Sequence, residues 1–486
     1  MKTDHYDVVI IGAGMSGCAV AQALALADEE GQRRILLVDR HEGVSPRFAG
    51  ELIHPRGAQV LDELGFFTAL VEAGAVEIDG FTVLERADGR CVELPYREVP
   101  NARPRGLAVH HKTLVRVMRA VVRRRPQVTL WEGYTIEALR RDASGKIVGV
   151  TLEDRRARGA TRRVEVETDL VIGADGKASA TRKLAGIGGE RETVGFTLGL
   201  SLRDAGVPGA TSGNVILGAW GPVLVYPIVR EPSGALQYRM TMDLPPLLPA
   251  KGKELGAYLH RTFVPFLPSP LAEQTAAAIA RADGRFEMAP TVNLPAPRAV
   301  LPGLALVGDA AGCSHPITAS GMTMGLRDAE TLGQQARRRG RLAADEPWID
   351  ERCLQRYRAE HDRYVPTRQA LATAIYEAFR GGDEGSRAIQ RALFAYWASS
   401  QRGRARSMAL LSCAEGRPGV FLAEYLRTAK HALATSLLPD HASHYPVEDR
   451  LRQIRGAARR AGDKLGSVAS VVWAQLRPGW LPRAGA

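Results

Sequence analysis

Three clusters of residues in this chain have types and an order that could do chemistry. The first is Gly12-x-Gly14-x-x-Gly17, set directly after the apolar run of YDVVIIGAG. Small residues at those places let a backbone approach a pyrophosphate, whose charge the N-terminus of a following helix stabilises. Met15 and Ser16 lie inside this turn, and Asp39, ending the next apolar run ILLVD, is placed to bind a ribose hydroxyl. The pattern suits NAD and FAD alike. The second cluster is Asp175, Gly176, Ser179 and Arg182, spaced D-G-x-x-S-x-x-R; its plain alternative is a strand that ends in a D-G turn. In the third, LALVGDAAGCSHPITASGMTMGL, Asp309 ends a strand, and Pro316, Gly321 and Met322 lead into a helix. The turn at Gly321 and Met322 would offer a ligand backbone N–H groups and the positive end of a helix.

Other reactive side chains form no pattern. No Ser-His-Asp or paired-carboxylate constellation stands out. His54, His110, His111 and His315 match no metal-ligand spacing and read as packed or surface histidines. The cysteines Cys18, Cys91, Cys313, Cys353 and Cys413 contain no CxxC pair, which argues against zinc and against a disulfide framework and fits a reducing cytosol. No metal site is expected.

The elements that must position these clusters follow from periodicity. The first 39 residues read as strand, glycine turn, helix and strand, a βαβ unit. Helices are expected near Arg56 to Leu64 and from Lys112 to Arg125, and VTLWEGYTIEALRR with KIVGVTLE reads as a strand pair. Alternating apolar residues from Val194 to Leu244 predict antiparallel sheet, and the nucleotide-binding pattern returns at LALVGDAAG. Helix is expected from Gly321 to Arg337 and onward to about Leu438, with a loop over Arg380 to Ser386. The organisation is therefore interleaved. A cofactor domain takes residues 1–80, 101–190 and 296–345, and a substrate domain takes 81–100 and 191–295. A helical region follows over 346–440, and a basic tail over 441–486.

Composition excludes several classes. Hydrophobic residues at 45% and charged residues at 24% are ordinary, so a soluble globular protein is expected rather than a disordered or fibrous chain. No secretion signal and no apolar run long enough to span a bilayer are read. The net charge of +12 would suit nucleic acid, but no nucleic-acid motif accompanies it, and the tail 441–486 carries eight Lys/Arg against three Asp/Glu. Within the tail, Leu451, Ile454, Ala458, Ala461, Leu465, Val468 and Val472 fall at helical spacing opposite Arg452, Arg455, Arg459, Arg460 and Lys464. Such a helix suits an anionic membrane surface, and equally a solvated helix packed on the body. The expected location is the cytoplasm, with peripheral contact at the inner face of the membrane.

The second motif resembles the flavoprotein hydroxylases, which decides for FAD over NAD. That resemblance implies an α/β architecture: a para-hydroxybenzoate-hydroxylase-like, Rossmann-type FAD-binding domain, an interleaved antiparallel-sheet substrate domain and C-terminal helices. Further stretches are similar to squalene monooxygenases: RFAGELIHPRGAQVLDELG, GLAVHHKTLVRVMRA, SHPITASGMTMGL and the helices QALATAIYEAFR through SMALLSCAEGRPGVFLAEYL, covering about residues 5 to 438. Carried over position by position, the resemblance implies FAD contacts at Met15, Ser16, Asp39, Arg40, Arg47, Leu52, Val128, Asp309 and Met322. It places Asp175 near the diphosphate and Glu51 beside the flavin, the one candidate for a catalytic side chain. The chain departs from the family at Thr113, where an arginine would hold the phosphate and Lys112 is adjacent. It departs also at His54 in place of glutamine, Phe81 in place of tyrosine, and Ala319 in place of glycine. His54 and Phe81 are expected in the substrate pocket; Trp220 and Tyr226 read as sheet core or pocket wall.

The activity implied is a monooxygenase in which NADPH, directly or through a partner reductase, reduces FAD. One atom of O2 then reaches an electron-rich carbon through a flavin C4a-hydroperoxide. The protein then supplies orientation, water exclusion and dipoles rather than a nucleophile. The substrate expected is an alkene of a lipophilic isoprenoid. Alternatives are a prenylated aromatic or quinolone metabolite, and a reductase of polyprenyl chains like the geranylgeranyl reductases. Apolar residues including Leu371, Ile375, Phe379, Leu393, Phe394, Tyr396 and Trp397 would form a lid for an oily substrate.

Overall fold

The computed structural model describes residues 4–45, 48–85, 90–156, 162–218, 221–339, 346–380 and 384–437. Arg47, Trp220 and the basic tail 441–486 lie outside the described residues.

The opening strand, Asp4–Ile11, is apolar at successive positions because it is buried on both faces. It pairs in parallel with Arg162–Gly173 on one side and Ile35–Asp39 on the other, with Val8 opposite Leu170 and Ile35. Val128–Glu132 extends one edge in parallel and Leu304–Leu306 the other. Parallel strands end on the same edge, so segments far apart in sequence finish side by side. The rungs at that edge are Gly12 N–H to Val38 O at 2.7 Å, Ala174 N–H to Ile11 O at 2.8 Å and Val307 N–H to Gly173 O at 3.0 Å. All three motifs start there. The expected pairing of VTLWEGYTIEALRR with KIVGVTLE holds in part. Gly133, at φ +81°, breaks the first stretch, so Val128–Glu132 joins the parallel sheet and only Tyr134–Arg141 pairs with Ile147–Asp154.

The second sheet has seven strands. Their order is Glu287–Asn293, Glu192–Arg203, Leu236–Leu244, Gly221–Arg230, Ser212–Gly218, Gly80–Glu85 and Arg90–Pro95. It is not purely antiparallel as expected. Ser212–Gly218 runs parallel to Gly80–Glu85, because that strand is contributed from before the second passage through the cofactor domain. Helices Gly252–Thr262 and Leu271–Ala282 cover one face with Leu255, Leu259, Leu271 and Ile279. The C-terminal helices cover the other, placing Phe379, Trp397 and Met408 against Val83, Leu94, Tyr226 and Ile228.

Helix Glu351–Arg380 contains Pro366 and is followed by Glu384–Ser399, Gln401–Leu411 and Pro418–Leu437. Of the loop expected over Arg380 to Ser386, Arg380 ends one helix and Glu384 to Ser386 begin the next, while residues 381–383 lie outside the described residues. Among the described residues no helix is long and apolar enough to cross a membrane.

Candidate active site

The glycine turn has the geometry a pyrophosphate needs. Gly12 sits at φ +105°, and a Cβ there would lie 2.6 Å from Ala174 O; a Cβ on Gly17 would lie 1.8 Å from Gly12 O. Gly14, at the N-terminus of helix Met15–Ala27, has open space where its Cβ would be, and no side chain caps that helix end. Its first-turn N–H groups thus face room for an anion.

The three motifs interlock. Gly12 abuts Ala174 and Asp175 of the second, and Ser16 is wedged between Gly308 and Gly325 of the third, its Oγ within 2.5 Å of where either Cβ would stand. The second and third are tied by Arg182, whose Nη1 donates to Ala310 O at 3.0 Å. Asp309 Oδ1 lies 3.7 Å from the Cβ position of Gly321, which starts helix Gly321–Arg339. Met322 follows and packs on Gly50, bringing the Glu51 segment against the third motif.

Several expected contacts are refined by their hydrogen bonds. Asp39 accepts from Ala13 N–H at 2.9 Å, His41 N–H at 2.9 Å and Arg119 Nη2 at 2.8 Å. Arg119, buried, also donates to Ala13 O, Gly43 O and Glu132. Sequence reasoning missed it: it is one of five arginines between residues 116 and 125, and only the packing of its helix turns it inward. Lys112, expected to supply charge, is exposed on the first turn of that helix, with Thr113 half-buried beside it. Arg40 is exposed, while Met15, Leu52 and Val128 are buried. The Asp175 carboxylate is occupied by Ser179 Oγ and by the amide and hydroxyl of Thr181, so it shapes its turn through the short helix Ala180–Leu184.

Glu51, the candidate for a catalytic side chain, has both carboxylate oxygens engaged. It is buried at 2% exposure and held bidentately by the equally buried Arg239, Nε to Oε2 at 2.8 Å and Nη2 to Oε1 at 3.1 Å. Such paired, charge-assisted bonds fix the position of both side chains. Tyr226 also hydrogen-bonds Glu51, and burial, then the carboxylate charge, holds its phenol well above the ordinary range. Arg239 reaches Glu287 and Ser201 Oγ and lies under the Phe48 ring at 5.1 Å. It was invisible in sequence, 188 residues from its partner.

His54, fully buried, donates from Nε2 to Thr318 O at 2.6 Å and accepts the Tyr96 hydroxyl at Nδ1, 2.7 Å away. Burial pushes it down to about 4, so it is neutral. Phe81 meets Tyr96 edge-on at 6.1 Å and His54 at 6.0 Å. These rings continue into the apolar layer between sheet and C-terminal helices. Of the residues expected to form a lid, Phe379 and Trp397 are buried against the sheet, with Ile375, Leu393, Phe394 and Tyr396 packed around them. Behind the Gly308 turn, Asp328 accepts Gly308 N–H at 2.8 Å and is itself held by His361 and Tyr364, all buried. Among the described residues, no group of acids, histidines and cysteines could hold a metal.

Comparison with known proteins decides the family. The sequence model described as "Squalene epoxidase" matches residues 167–447, and one described as "FAD binding domain" matches residues 5–218. The chain belongs to the squalene epoxidase family. Its relatives include squalene epoxidase of Saccharomyces cerevisiae, 29% identical over 83% of this chain and 82% of that one. Mouse squalene monooxygenase is 27% identical over 88% of this chain and 71% of that one. Among solved structures, Pseudomonas putida p-nitrophenol 4-monooxygenase shares the fold, with TM-score 0.68 and 18% identity over 85% of this chain and 99% of that one. Pseudomonas aeruginosa PqsL in complex with 2-aminobenzoylacetate gives TM-score 0.59 and 23% identity over 83% and 99%. This member of the squalene epoxidase family is an FAD-dependent monooxygenase acting on a lipophilic substrate with O2. The residues present fit FAD: an open glycine turn for the diphosphate, and Asp309 at a helix start.

Proposed function

We propose that the enzyme epoxidises an alkene of a long apolar isoprenoid, with squalene as the reference substrate. One observation supports this reading: the residues expected in the substrate pocket border an apolar layer between sheet and C-terminal helices, and their polar groups are consumed internally. His54 spends both nitrogens on Thr318 and Tyr96, and Glu51 is neutralised by Arg239. A hydrocarbon loses nothing against such a layer, whereas a polar aromatic or quinolone would bury its own donors without return. The aromatic faces of Phe81 and Tyr96 keep a prenylated aromatic as the second reading.

Bound FAD would supply the electrons that activate O2. The chain's own residues do the rest. The Gly12 to Gly17 turn binds diphosphate, Asp309 holds the ribityl hydroxyls, and Arg119 fixes Asp39 and hence the turn. The N-terminus of helix Gly321–Arg339 favours negative charge beside it. Phe379, Trp397 and their neighbours exclude water. NADPH, directly or through a reductase, is the proposed reductant, and a peripheral membrane position would suit the oily substrate.

The test uses purified flavin-loaded enzyme with NADPH, with and without a reductase, isotopically labelled O2 and either squalene or a lipid extract. One labelled oxygen in an epoxide is expected. A saturated, unlabelled product would instead favour the polyprenyl reductase reading.

A further inference from the structure

Between Asp309 and Gly321 the chain makes a 3-10 turn, Pro316–Thr318, that must lie against the flavin site because both flanking residues border it. One end is anchored where Thr318 O accepts His54 Nε2. The other end is anchored through His315, whose Nδ1 accepts the Ile317 N–H at 3.2 Å. That bond leaves no room for a proton on Nδ1, so the single imidazole proton sits on Nε2, facing Asp243 Oδ2 at 3.4 Å. Burial pushes the imidazole down to about 3, so the ring is neutral and the 3.4 Å contact is not an ion pair. Tyr376 of helix Glu351–Arg380 stacks on His315 at 3.8 Å between ring centres.

Asp243 belongs to strand Leu236–Leu244 of the substrate sheet. Its Oδ1 faces the Thr197 hydroxyl at 3.4 Å, which meets the Thr291 hydroxyl at 2.9 Å. The groups facing it are the hydroxyls of Thr197 and Thr291, the His315 imidazole and the Tyr376 phenol, with the Arg380 guanidinium beyond Tyr376. Among the described residues no lysine or arginine comes within ion-pair distance of Asp243. Its carboxyl, 17% exposed, is therefore a half-buried acid with no cation beside it. Burial raises it to about 7, against the lowering effect of the Thr197 hydrogen bond.

We propose that Asp243 is a positioning residue that holds the Pro316–Thr318 turn beside the flavin through His315, more firmly as carboxylate than as acid. As carboxylate it accepts the Thr197 O–H and attracts His315 Nε2–H across 3.4 Å, and charge-assisted contacts are about twice as strong as neutral ones. As acid it must carry its proton on Oδ1, since a proton on Oδ2 would face Nε2–H donor to donor. Thr197 then turns to donate to Thr291, which the hydroxyl pair permits. The substrate sheet, the C-terminal helices and the flavin turn thus meet at one protonation site.

The proposal rests on FAD binding at the three motifs and is tested without turnover. Absorbance and fluorescence of the bound flavin are followed from about pH 5.5 to about pH 8.5 in the holoenzyme. A one-proton transition near 7 is expected. Asp243→Asn, which keeps size and hydrogen bonding but not charge, should abolish the transition. Thr197→Val should move it upward by about half a unit to one unit. A wild type without a transition, or an Asp243→Asn variant that keeps it, overturns the proposal. Should Asp243→Asn lose its flavin, the direction of the Thr197→Val shift decides. Failure of the wild type to bind FAD at all would instead refute the reading of the site beneath it.

Discussion

Arg119 makes four hydrogen bonds from one guanidinium, to Ala13 O, Gly43 O, Glu132 and Asp39. Replacing it by methionine would leave Asp39 without its arginine at the cofactor turn, while Glu132 keeps Arg123. Charge-assisted bonds of this kind are worth about 1.5–3 kcal/mol, so FAD should bind roughly 10- to 100-fold more weakly, as a flavin fluorescence titration of the apoenzyme would show. His361 gives a second residue-scale outcome. Burial opposes its charge, but Asp328 beside it prevails, so the imidazole is held above its ordinary 6.5. A group raised on folding contributes stability that is full below its unfolded value and is lost as pH rises through the folded one. The melting temperature should therefore fall as pH climbs above about 6.5, and His361→Gln should flatten that slope. At this scale the sequence was least legible. The glycines and Asp309 announce themselves by spacing, but Arg119 looks like its neighbours in VRVMRAVVRRR, and Glu51 gives no sign of Arg239.

Elements were easier to read, because periodicity is local. Helices Pro55–Glu63 and His111–Val122 fall within a few residues of expectation, as does Gly321–Arg339. The misreadings came where tertiary pairing overrode local pattern. Gly133 diverts one strand to the parallel sheet, and Gly80–Glu85 finds a parallel neighbour that alternation cannot specify. Helix Glu351–Arg380 carries a further device of this kind. Arg368, buried, caps the end of helix Gln401–Leu411 by donating to Leu410 O and Glu415 O, and Cys413 Sγ is 3.9 Å away. Arg368→Met would remove the side-chain donor to Glu415 O at about 1–3 kcal/mol, while Leu410 O keeps the Cys413 N–H. Hydrogen exchange over residues 401–415 should accelerate in that variant while the parallel sheet stays protected.

At the scale of the whole molecule, the Glu51–Arg239 pair ties the seven-stranded sheet to the segment that enters Leu52–Ile53, a strand of a third, three-stranded sheet. Breaking a buried pair by removing one partner costs about 3–5 kcal/mol, whereas replacing both by apolar residues is often neutral. Glu51→Leu should therefore lower the melting temperature sharply, and Glu51→Leu with Arg239→Met should recover most of the loss. A variant pair that stays as unstable as the single change would mean the charges matter for more than mutual compensation. The interleaved architecture was legible because the nucleotide-binding pattern stops and returns; the register between the sheets was not, since it lives in contacts such as this one. The wedge of Ser16 between Gly308 and Gly325 has a further consequence, for the order of events during synthesis. A nascent chain that has emerged only as far as residue 290 owns the diphosphate turn but lacks the strand Leu304–Leu306 and the residues that close on Ser16. Cofactor capture must wait for the last third of translation, and until then the sheet edge beside Arg162–Gly173 stays open for chaperones to shield.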